Sequence, residues 1–195
     1  MTERKDSRSD TLKRGGPIQV FYTGDSKPLP SIERAEGIYM WDSDGKKYFD
    51  GSSGPVTTNL GHGNKRVIQA MIDQANKVCF ASRVVFENSP NQRLAEKLVE
   101  LCGPGFDQAF IVSGGSEATE AAIKLARQYA VAKGQPERKI VLARNPGYHG
   151  STLGAVSVSG DPESDMVFGS MFRIMPKVPT PFSYRLPENH DVDSY

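Results

Sequence analysis

The sequence predicts an α/β fold in which a β-hairpin segment precedes a mixed, mainly parallel sheet with flanking helices. Two observations support this prediction. Asp44-Gly45 lies between two aromatic-rich runs in residues 37–50, which is typical of a hairpin. Further along, a short apolar run, an alanine-rich helical stretch and a second apolar run follow one another in residues 106–143. Strands joined by a helix of this length normally pair in parallel through a right-handed crossover.

The composition limits the class of protein. The chain has 195 residues, of which 37% are hydrophobic and 24% charged, so it is long enough for an ordinary globular domain with a core. Its net charge of +1, with Lys and Arg scattered, favours neither a nucleic acid nor a membrane surface as partner. We find no apolar run of the roughly 20 residues that a membrane helix needs and no secretion signal, and therefore expect a cytoplasmic protein.

The two cysteines, Cys79 and Cys102, lie far apart in the sequence and form no Cys-x-x-Cys pair. This spacing favours reduced, buried thiols over a disulfide or a zinc site, and we expect no metal site in the chain. The stretch "DSDG" at residues 42–45 does not have the ligand spacing of a calcium-binding EF-hand loop, which leaves the hairpin turn as its interpretation.

The chain divides into three parts by pattern. Residues 1–16 are polar and charged without periodicity, so we expect a mobile tail there. Residues 17–80 are expected to form an N-terminal segment with the hairpin and a helix. Residues 81–195 are expected to form part of a larger α/β domain that is truncated.

Two helices are predicted before the strand-helix-strand unit. Residues 65–78 space their apolar side chains on one helical face. The next helix is expected to begin near Pro90, with Asn88 or Ser89 as its cap, and to end at Gly103. The side chains predicted to point inward from it are Leu94, Leu98 and Leu101.

The strand-helix-strand unit is predicted as a strand over Phe106–Ser113, a helix over Ser116–Lys133 and a strand over Lys139–Ala143. In such a unit the loops that follow the two strands emerge at the same edge of the sheet. We therefore expect the turn at residues 114–116 and the loop "NPGYHGST" at residues 145–152 to face one crevice.

The turn at residues 114–116 has the features of a phosphate site. The first N–H groups of the following helix have no acceptor within the helix, glycines allow close approach, and Ser116 adds a hydroxyl. On this stretch alone, however, a plain serine N-cap after a glycine turn explains the pattern equally well.

The neighbouring loop limits which class of phosphorylated ligand fits this turn. The sequence has neither the Gly-Lys-Ser/Thr of a nucleoside-triphosphate loop nor the glycine spacing of a dinucleotide fold. Tyr148-His149-Gly150 instead places an aromatic ring and an imidazole near the same edge, which suits a flat phosphorylated ligand such as pyridoxal 5'-phosphate.

Four stretches together resemble the class III aminotransferases, a subgroup of the fold-type I pyridoxal-phosphate enzymes. The resemblance covers residues 37–160 in the family's order, and it implies that residues 81–195 are part of the large cofactor-binding domain. The matching stretches are "GIYMWDSDGKKYFDGSSG" with "NLGHG", "NQRLAEKLVEL", "SGGSEATEAAIKLAR" and "GYHGSTLGA".

The resemblance assigns roles to matching positions. It implies that Gly115 and Ser116 hold the cofactor phosphate through backbone N–H groups and the serine hydroxyl, and that Tyr148 stacks on the pyridine ring. His149 belongs to the same cofactor-binding set, with the role of orienting its loop rather than taking part in the reaction. Val56 matches a segment that lines the substrate pocket in many relatives.

Two positions in the glycine-rich "GHG" stretch call for comment. His62 is interpreted as a structural loop histidine, because no partner acid is evident near it in the sequence. The family usually has a proline two residues after this histidine, whereas this chain has Asn64 followed by Lys65. The helix that follows is therefore expected to start differently.

The groups that such an enzyme needs for its reaction have no match in this sequence. A transaminase requires a Schiff-base lysine and an acidic residue against the ring nitrogen. In the family both lie beyond the point where this chain ends, and no lysine here matches the motif. The chain also ends on the proline-rich stretch "VPTPFSYRLPENHDVDSY", which is typical of a loop. We therefore expect an N-terminal fragment that contains no catalytic residue and is inactive alone.

The resemblance implies that the full-length protein moves an amino group from an amine or amino acid donor to a 2-oxo acid acceptor as a homodimer. The alternative is a non-enzymatic phosphate-binding or interaction module, or an inactive truncation product. The identity of the donor and acceptor is not readable from these residues.

Overall fold

A computed structural model describes residues 29–186 and 190–191 of the chain. It forms two compact units, which divide between Val84 and Val85. The tail expected over residues 1–16 lies outside the described residues. Among the helices of these described residues, none combines the length and the apolar character of a membrane span.

The first unit contains a three-stranded antiparallel sheet in the order β1-β2-β3. Its strands are β1 (Ile32–Glu36), β2 (Tyr39–Asp42) and β3 (Lys47–Phe49). The hairpin predicted around Asp44-Gly45 is confirmed as β2-β3, with Met40 opposite Tyr48 and Gly45 at φ +79°. Strand β1 was not predicted, because its polar sequence "IERAE" carries little apolar alternation.

The hairpin turn is held by the buried carboxylate of Asp42. One carboxylate oxygen accepts the backbone N–H groups of Asp44 at 3.0 Å and Lys46 at 2.8 Å, and the other accepts the Tyr48 hydroxyl at 2.6 Å. The Tyr48 hydrogen bond lowers the pKa of Asp42 below its ordinary value. The carboxylate in "DSDG" thus organises its own turn.

Two helical segments follow in the first unit, α1 (Ser53–Val56) and α2 (Lys65–Ala75). Asn64 caps α2, because its side-chain oxygen accepts the Val67 N–H at 3.2 Å, so this start does not need the family's proline. The predicted end at Val78 is three residues too far. Beyond Ala75 the regular pattern breaks, since the Lys77 N–H bonds to the Gln74 carbonyl three residues back and not to the carbonyl four residues back.

In its described residues, the second unit combines four helices with a two-stranded parallel sheet. The helices are α3 (Ser89–Cys102), α4 (Gly115–Ala132), α5 (Leu153–Ser157) and α6 (Pro162–Phe168), the strands are β4 (Ala143–Asn145) and β5 (Lys177–Pro179), and short 3-10 helices lie at Gly169–Met171 and Ser183–Arg185. Helices α3 and α4 confirm the predicted ones to within a residue. Asn88 caps α3 by accepting the Asn91 N–H at 2.9 Å.

The predicted strand over Phe106–Ser113 is wrong, since these residues form no strand ladder in the part of the chain that the structure describes. The strand predicted over Lys139–Ala143 begins only at Ala143. Parallel pairing does occur, but β4 pairs with the downstream strand β5, with α5 and α6 between them. An apolar run indicates an extended segment, whereas a strand also requires a partner at hydrogen-bonding distance.

Buried side chains in the second unit are small. The buried residues are Ala130, Ala143, Ala155, Val158, Ser157 and Ser159. They come from α4, β4 and the α5 region, which are the elements that also carry Ser116 and the loop at residues 145–152. Small residues there allow the backbones of these elements to approach closely.

Two predictions of burial are wrong for the described residues. Leu94, Leu98 and Leu101 are 48%, 37% and 71% exposed, although they share the apolar face of α3. Cys79 and Cys102 are free thiols, as predicted, but both are exposed. Helical spacing specifies which face is apolar and does not specify what covers that face.

Candidate cofactor-binding site

Ser116 lies inside the first turn of α4 and does not cap the helix. The helix begins at Gly115, and the N-cap residue is Gly114, which offers no side-chain cap. The plain serine N-cap is therefore excluded as the explanation of this turn. The N–H groups of Gly115 and Ser116 have no acceptor among the described residues. No atom lies within 4 Å of where a Cβ of Gly114 or Gly115 would be, so the space beside the two glycines is open.

The loop at residues 145–152 lies against this helix start, as predicted. The Ser151 N–H donates to the Ser116 hydroxyl oxygen at 3.0 Å, and the Thr119 hydroxyl donates to the His149 carbonyl at 2.8 Å. One helical turn of α4 therefore holds the loop through two hydrogen bonds. Since the Ser116 oxygen accepts from Ser151, its own hydrogen remains available for donation to a ligand.

Gly150 makes the close approach of loop and helix possible. Its φ of +131° lies in a region that residues with a side chain rarely adopt. A Cβ at this position would lie 2.6 Å from the Ser116 hydroxyl oxygen and 2.8 Å from the Ala155 Cβ. The glycine in "YHG" is thus required both by its backbone conformation and by the position of Ser116.

Tyr148 and His149 have different surroundings. The Tyr148 side chain is 79% exposed, so its ring is accessible. His149 is held by its backbone, whose N–H donates to the Ser159 hydroxyl at 2.9 Å while its carbonyl accepts from Thr119. These bonds anchor the residue next to Tyr148, which fits the role of His149 in orienting the loop.

These residues fit a flat ring that carries a phosphate. Two N–H groups without acceptors and a hydroxyl hydrogen converge at a helix N-terminus, where a phosphate is stabilised by the helix dipole. The accessible Tyr148 ring offers a stacking face three residues before Ser151, whose N–H donates to the Ser116 hydroxyl. In addition, the hydroxyl oxygen of Thr152 is buried in the same loop without a partner among the described residues.

Val56 lies in the first unit, at the end of α1. Its φ of +60° is unusual for a β-branched residue, and Ser53 in the same segment has a φ of +48°. Strained residues of this kind cost on the order of 1–3 kcal/mol each and cluster at functional sites. The side chain of Val56 is 72% exposed.

His62 has an acidic partner, contrary to the expectation from the sequence. Its Nε2 lies 2.8 Å from the Asp50 carboxylate, whose other oxygen accepts the Ser53 N–H at 2.8 Å. His62 also forms a pair of backbone hydrogen bonds with Gly37. The Asp50–His62 contact therefore joins the two ends of the segment that contains α1, and this supports a structural role for His62.

The Asp50–His62 pair gives a prediction about pH. The hydrogen bond from His62 is the main cause that lowers the pKa of Asp50 below its ordinary value of 3.8. A carboxylate with a lowered pKa in the folded state stabilises the fold above its ordinary pKa and loses this contribution as the pH falls through the lowered value. In Asp50→Asn, the stability of the first unit should therefore fall less steeply as the pH is lowered in the acidic range.

This prediction is measured by thermal unfolding between about pH 2 and 6, followed through the near-ultraviolet signal of Trp41 in β2. Asp44→Asn is the matched control, because the side chain of Asp44 accepts no hydrogen bond from another described residue. Parallel pH curves for the unmodified chain and Asp50→Asn would contradict the prediction.

Two site residues were missed by sequence reasoning, Thr119 and Glu120. Thr119 lies three positions and Glu120 four positions after Ser116, and residues at these spacings share a helix face. Glu120 accepts the Gly154 N–H at 2.9 Å, at the start of α5. The helical spacing from Ser116 was the signal that could have identified them.

The chain matches the family model of class III aminotransferases over residues 21–194. It is 40% identical over 168 residues to the uncharacterized aminotransferase YodT of Bacillus subtilis, covering 86% of this chain and 37% of that protein. It is 36% identical over 146 residues to putrescine–pyruvate aminotransferase of Pseudomonas aeruginosa, covering 74% of this chain and 32% of that protein.

A solved structure shows the same fold. The adenosylmethionine-8-amino-7-oxononanoate aminotransferase of Methanocaldococcus jannaschii superposes with a TM-score of 0.81 at 32% identity. The superposition covers 90% of this chain and 41% of that one. The chain thus spans less than half the length of the relatives it matches, and its mixed α/β fold is that of the N-terminal part of fold-type I transaminases. The chain belongs to the class III aminotransferase family.

Proposed function

We propose that this chain is the N-terminal, phosphate-holding part of a pyridoxal-phosphate-dependent transaminase. The complete protein transfers an amino group from an amine or amino acid donor to a 2-oxo acid acceptor in the cytoplasm. The observation that carries this proposal is the start of α4, where the N–H groups of Gly115 and Ser116 have no acceptor among the described residues and the loop of Tyr148 lies against the Ser116 hydroxyl. The family of the chain supports the same proposal.

In this proposal Gly115 and Ser116 bind the phosphate with their N–H groups, and the Ser116 hydroxyl adds a third hydrogen bond. Tyr148 stacks on the ring, and the backbone of His149 keeps Tyr148 in place. The chemistry that bound pyridoxal phosphate supplies is an aldehyde that takes up the amino group and a ring that accepts electrons. The chain's own residues bind and orient, and we propose that the Schiff-base lysine and the ring-nitrogen acid are not among them.

We further propose that Val56 contacts the substrate, supported by the backbone strain at Ser53 and Val56. The proposed parts of the chain are residues 17–80 as an N-terminal segment and residues 81–195 as part of the cofactor-binding domain. A division between Val84 and Val85 lies close to this boundary.

The proposed assembly of the full-length protein is a homodimer. Many large apolar side chains of α2 and α3 are exposed, among them Met71, Ile72 and Leu101, and such surfaces mark interfaces. Light scattering of the full-length protein should give the mass of two chains. A compact monomer at micromolar concentration would contradict this proposal.

Ser116→Ala tests the proposed phosphate contact. Loss of the hydroxyl removes the proposed hydrogen bond to the phosphate together with the bond from the Ser151 N–H, so pyridoxal phosphate binding should weaken by about 1–3 kcal/mol. The dissociation constant is measured by absorbance titration in both the 195-residue chain and the full-length protein. Ser170→Ala is the matched control, because Ser170 is an exposed serine of the same unit. An unchanged dissociation constant in Ser116→Ala would overturn the assigned contact.

A further inference from the structure

Helix α4 presents three polar side chains to the segment that follows β4. Ser116 and Thr119 bond to the loop itself, and Glu120 bonds beyond it, to the Gly154 N–H at 2.9 Å. The proposed function uses only Ser116. The contact of Glu120 therefore needs an explanation of its own.

Glu120 replaces a missing helix cap. Thr152 is the N-cap residue of α5, but its side chain makes no capping hydrogen bond. The early N–H groups of a helix need an acceptor from outside the helix, and the half-buried Glu120 carboxylate provides one for Gly154. A cap supplied by a different helix fixes the start of α5 relative to α4.

The absence of a side chain at Gly154 leaves room for the Glu120 carboxylate. A Cβ at this position would lie 2.6 Å from Oε1 and 2.5 Å from Oε2 of Glu120. These distances are far below a normal contact, so the carboxylate occupies the space that any side chain at residue 154 would need. The nearby Ala155 is fully buried, which leaves the start of α5 little freedom to move away.

We propose that Glu120 is a positioning residue that holds the loop of Tyr148 in place from its far end. The loop is fixed at His149 by Thr119, at Ser151 by Ser116, and at the start of α5 by Glu120. Loss of the last bond frees the loop's C-terminal end, and the Ser116–Ser151 bond then weakens with it. That this loop positions Tyr148 for stacking on the cofactor ring rests on the proposed function.

Amide hydrogen exchange of the 195-residue chain tests the positioning role without any ligand. Glu120→Ala should raise exchange at Gly154 and also at Ser151 by roughly tenfold, the factor that one hydrogen bond to a charged group accounts for. Ser151 is the decisive reporter, because its amide bonds to Ser116 and not to Glu120. Faster exchange at Gly154 with unchanged exchange at Ser151 would reduce Glu120 to a local cap and overturn the proposal.

Three variants complete this test. Glu120→Gln keeps an acceptor oxygen and should restore most of the protection at Ser151. Gly154→Ala displaces the carboxylate while Glu120 is still present, and should raise exchange as Glu120→Ala does; it decides the matter if Glu120→Ala does not fold. Glu96→Ala, an exposed glutamate on α3, is the matched control and should leave both amides unchanged. Protection at Ser151 that persists in Gly154→Ala would overturn the proposal.

A double-mutant cycle with pyridoxal phosphate tests the link to Tyr148. If Glu120 acts through Tyr148, Glu120→Ala should weaken binding several-fold in the unmodified chain and have little effect in Tyr148→Ala. Independent, multiplicative effects would overturn this link. If the unmodified chain bound no pyridoxal phosphate, the proposed function would fail, whereas the exchange measurements would still decide the positioning role.

Discussion

The 195-residue chain, purified alone and supplied with pyridoxal phosphate, is expected to show no amino transfer. Transaminases need a positioned lysine to hold the aldehyde and to move a proton, and a buried acid to keep the ring nitrogen protonated. In the proposed function the Schiff-base lysine is not among the lysines of this chain. Lys177, which is half-buried in the second unit, donates from Nζ to the carbonyls of Ser157 at 3.0 Å and Met175 at 2.8 Å, so its amino group serves the fold.

Borohydride reduction in the presence of pyridoxal phosphate, followed by peptide mass spectrometry, provides the measurement, alongside an amino-transfer assay. We expect no turnover, and incomplete labelling spread over exposed lysines such as Lys46 and Lys65. An active class III aminotransferase, treated in parallel, is the positive control. One lysine labelled to completion together with measurable turnover would show that this chain is a self-sufficient enzyme.

Gly150→Ala is expected to damage both the stability of the second unit and its affinity for pyridoxal phosphate. Alanine is strained at a φ of +131°, and its Cβ would collide with Ser116 and Ala155. Strain and overpacking together should lower the free energy of unfolding by about 2–5 kcal/mol. Because the loop must move off Ser116 to relieve the collision, the affinity should fall more than tenfold, which corresponds to the loss of at least one charged hydrogen bond.

Gly134→Ala is the matched control for this substitution. Gly134 lies just after α4 at a φ of +69°, with nothing near the position of a Cβ, so alanine there adds strain without a collision. Urea unfolding gives the stability of each variant, and absorbance titration gives its affinity. We expect a smaller loss of stability and an unchanged affinity in Gly134→Ala. Equal stability losses in the two variants, with affinity retained in both, would contradict it.

Elements fixed by neighbouring residues were predictable from the sequence. The hairpin depends on Asp44-Gly45, the start of α3 on the side chain of Asn88, and its end on Gly103 at φ +81°. Each of these signals acts within a few residues of the chain, so it is the same in any tertiary context. Helix α4 likewise follows from its alanine-rich run and the glycine turn before it.

Elements that depend on distant partners were not predictable in the same way. The apolar residues 106–113 find no ladder among the described residues, and β4 pairs with β5, a segment more than thirty residues further on. At the site, the turn at Ser116 and the loop at residues 145–152 were predicted to meet, and they do. The partners Asp50 of His62 and Glu120 of Gly154 were missed, because residues 12 and 34 positions apart carry no shared sequence pattern. The spacing of Glu120 from Ser116 indicates a shared helix face and does not indicate the Gly154 N–H as its partner.

In the proposed function the start of α4 binds the phosphate of pyridoxal phosphate. Titration of the 195-residue chain with pyridoxal phosphate and, separately, with pyridoxal compares two ligands that share a ring and an aldehyde and differ in the phosphate. We expect pyridoxal phosphate to bind at least about tenfold more tightly than pyridoxal. We also expect inorganic phosphate to compete with it, and Ser116→Ala to reduce the difference in affinity between the two ligands. Equal affinities for the two ligands, without competition by phosphate, would contradict the claim.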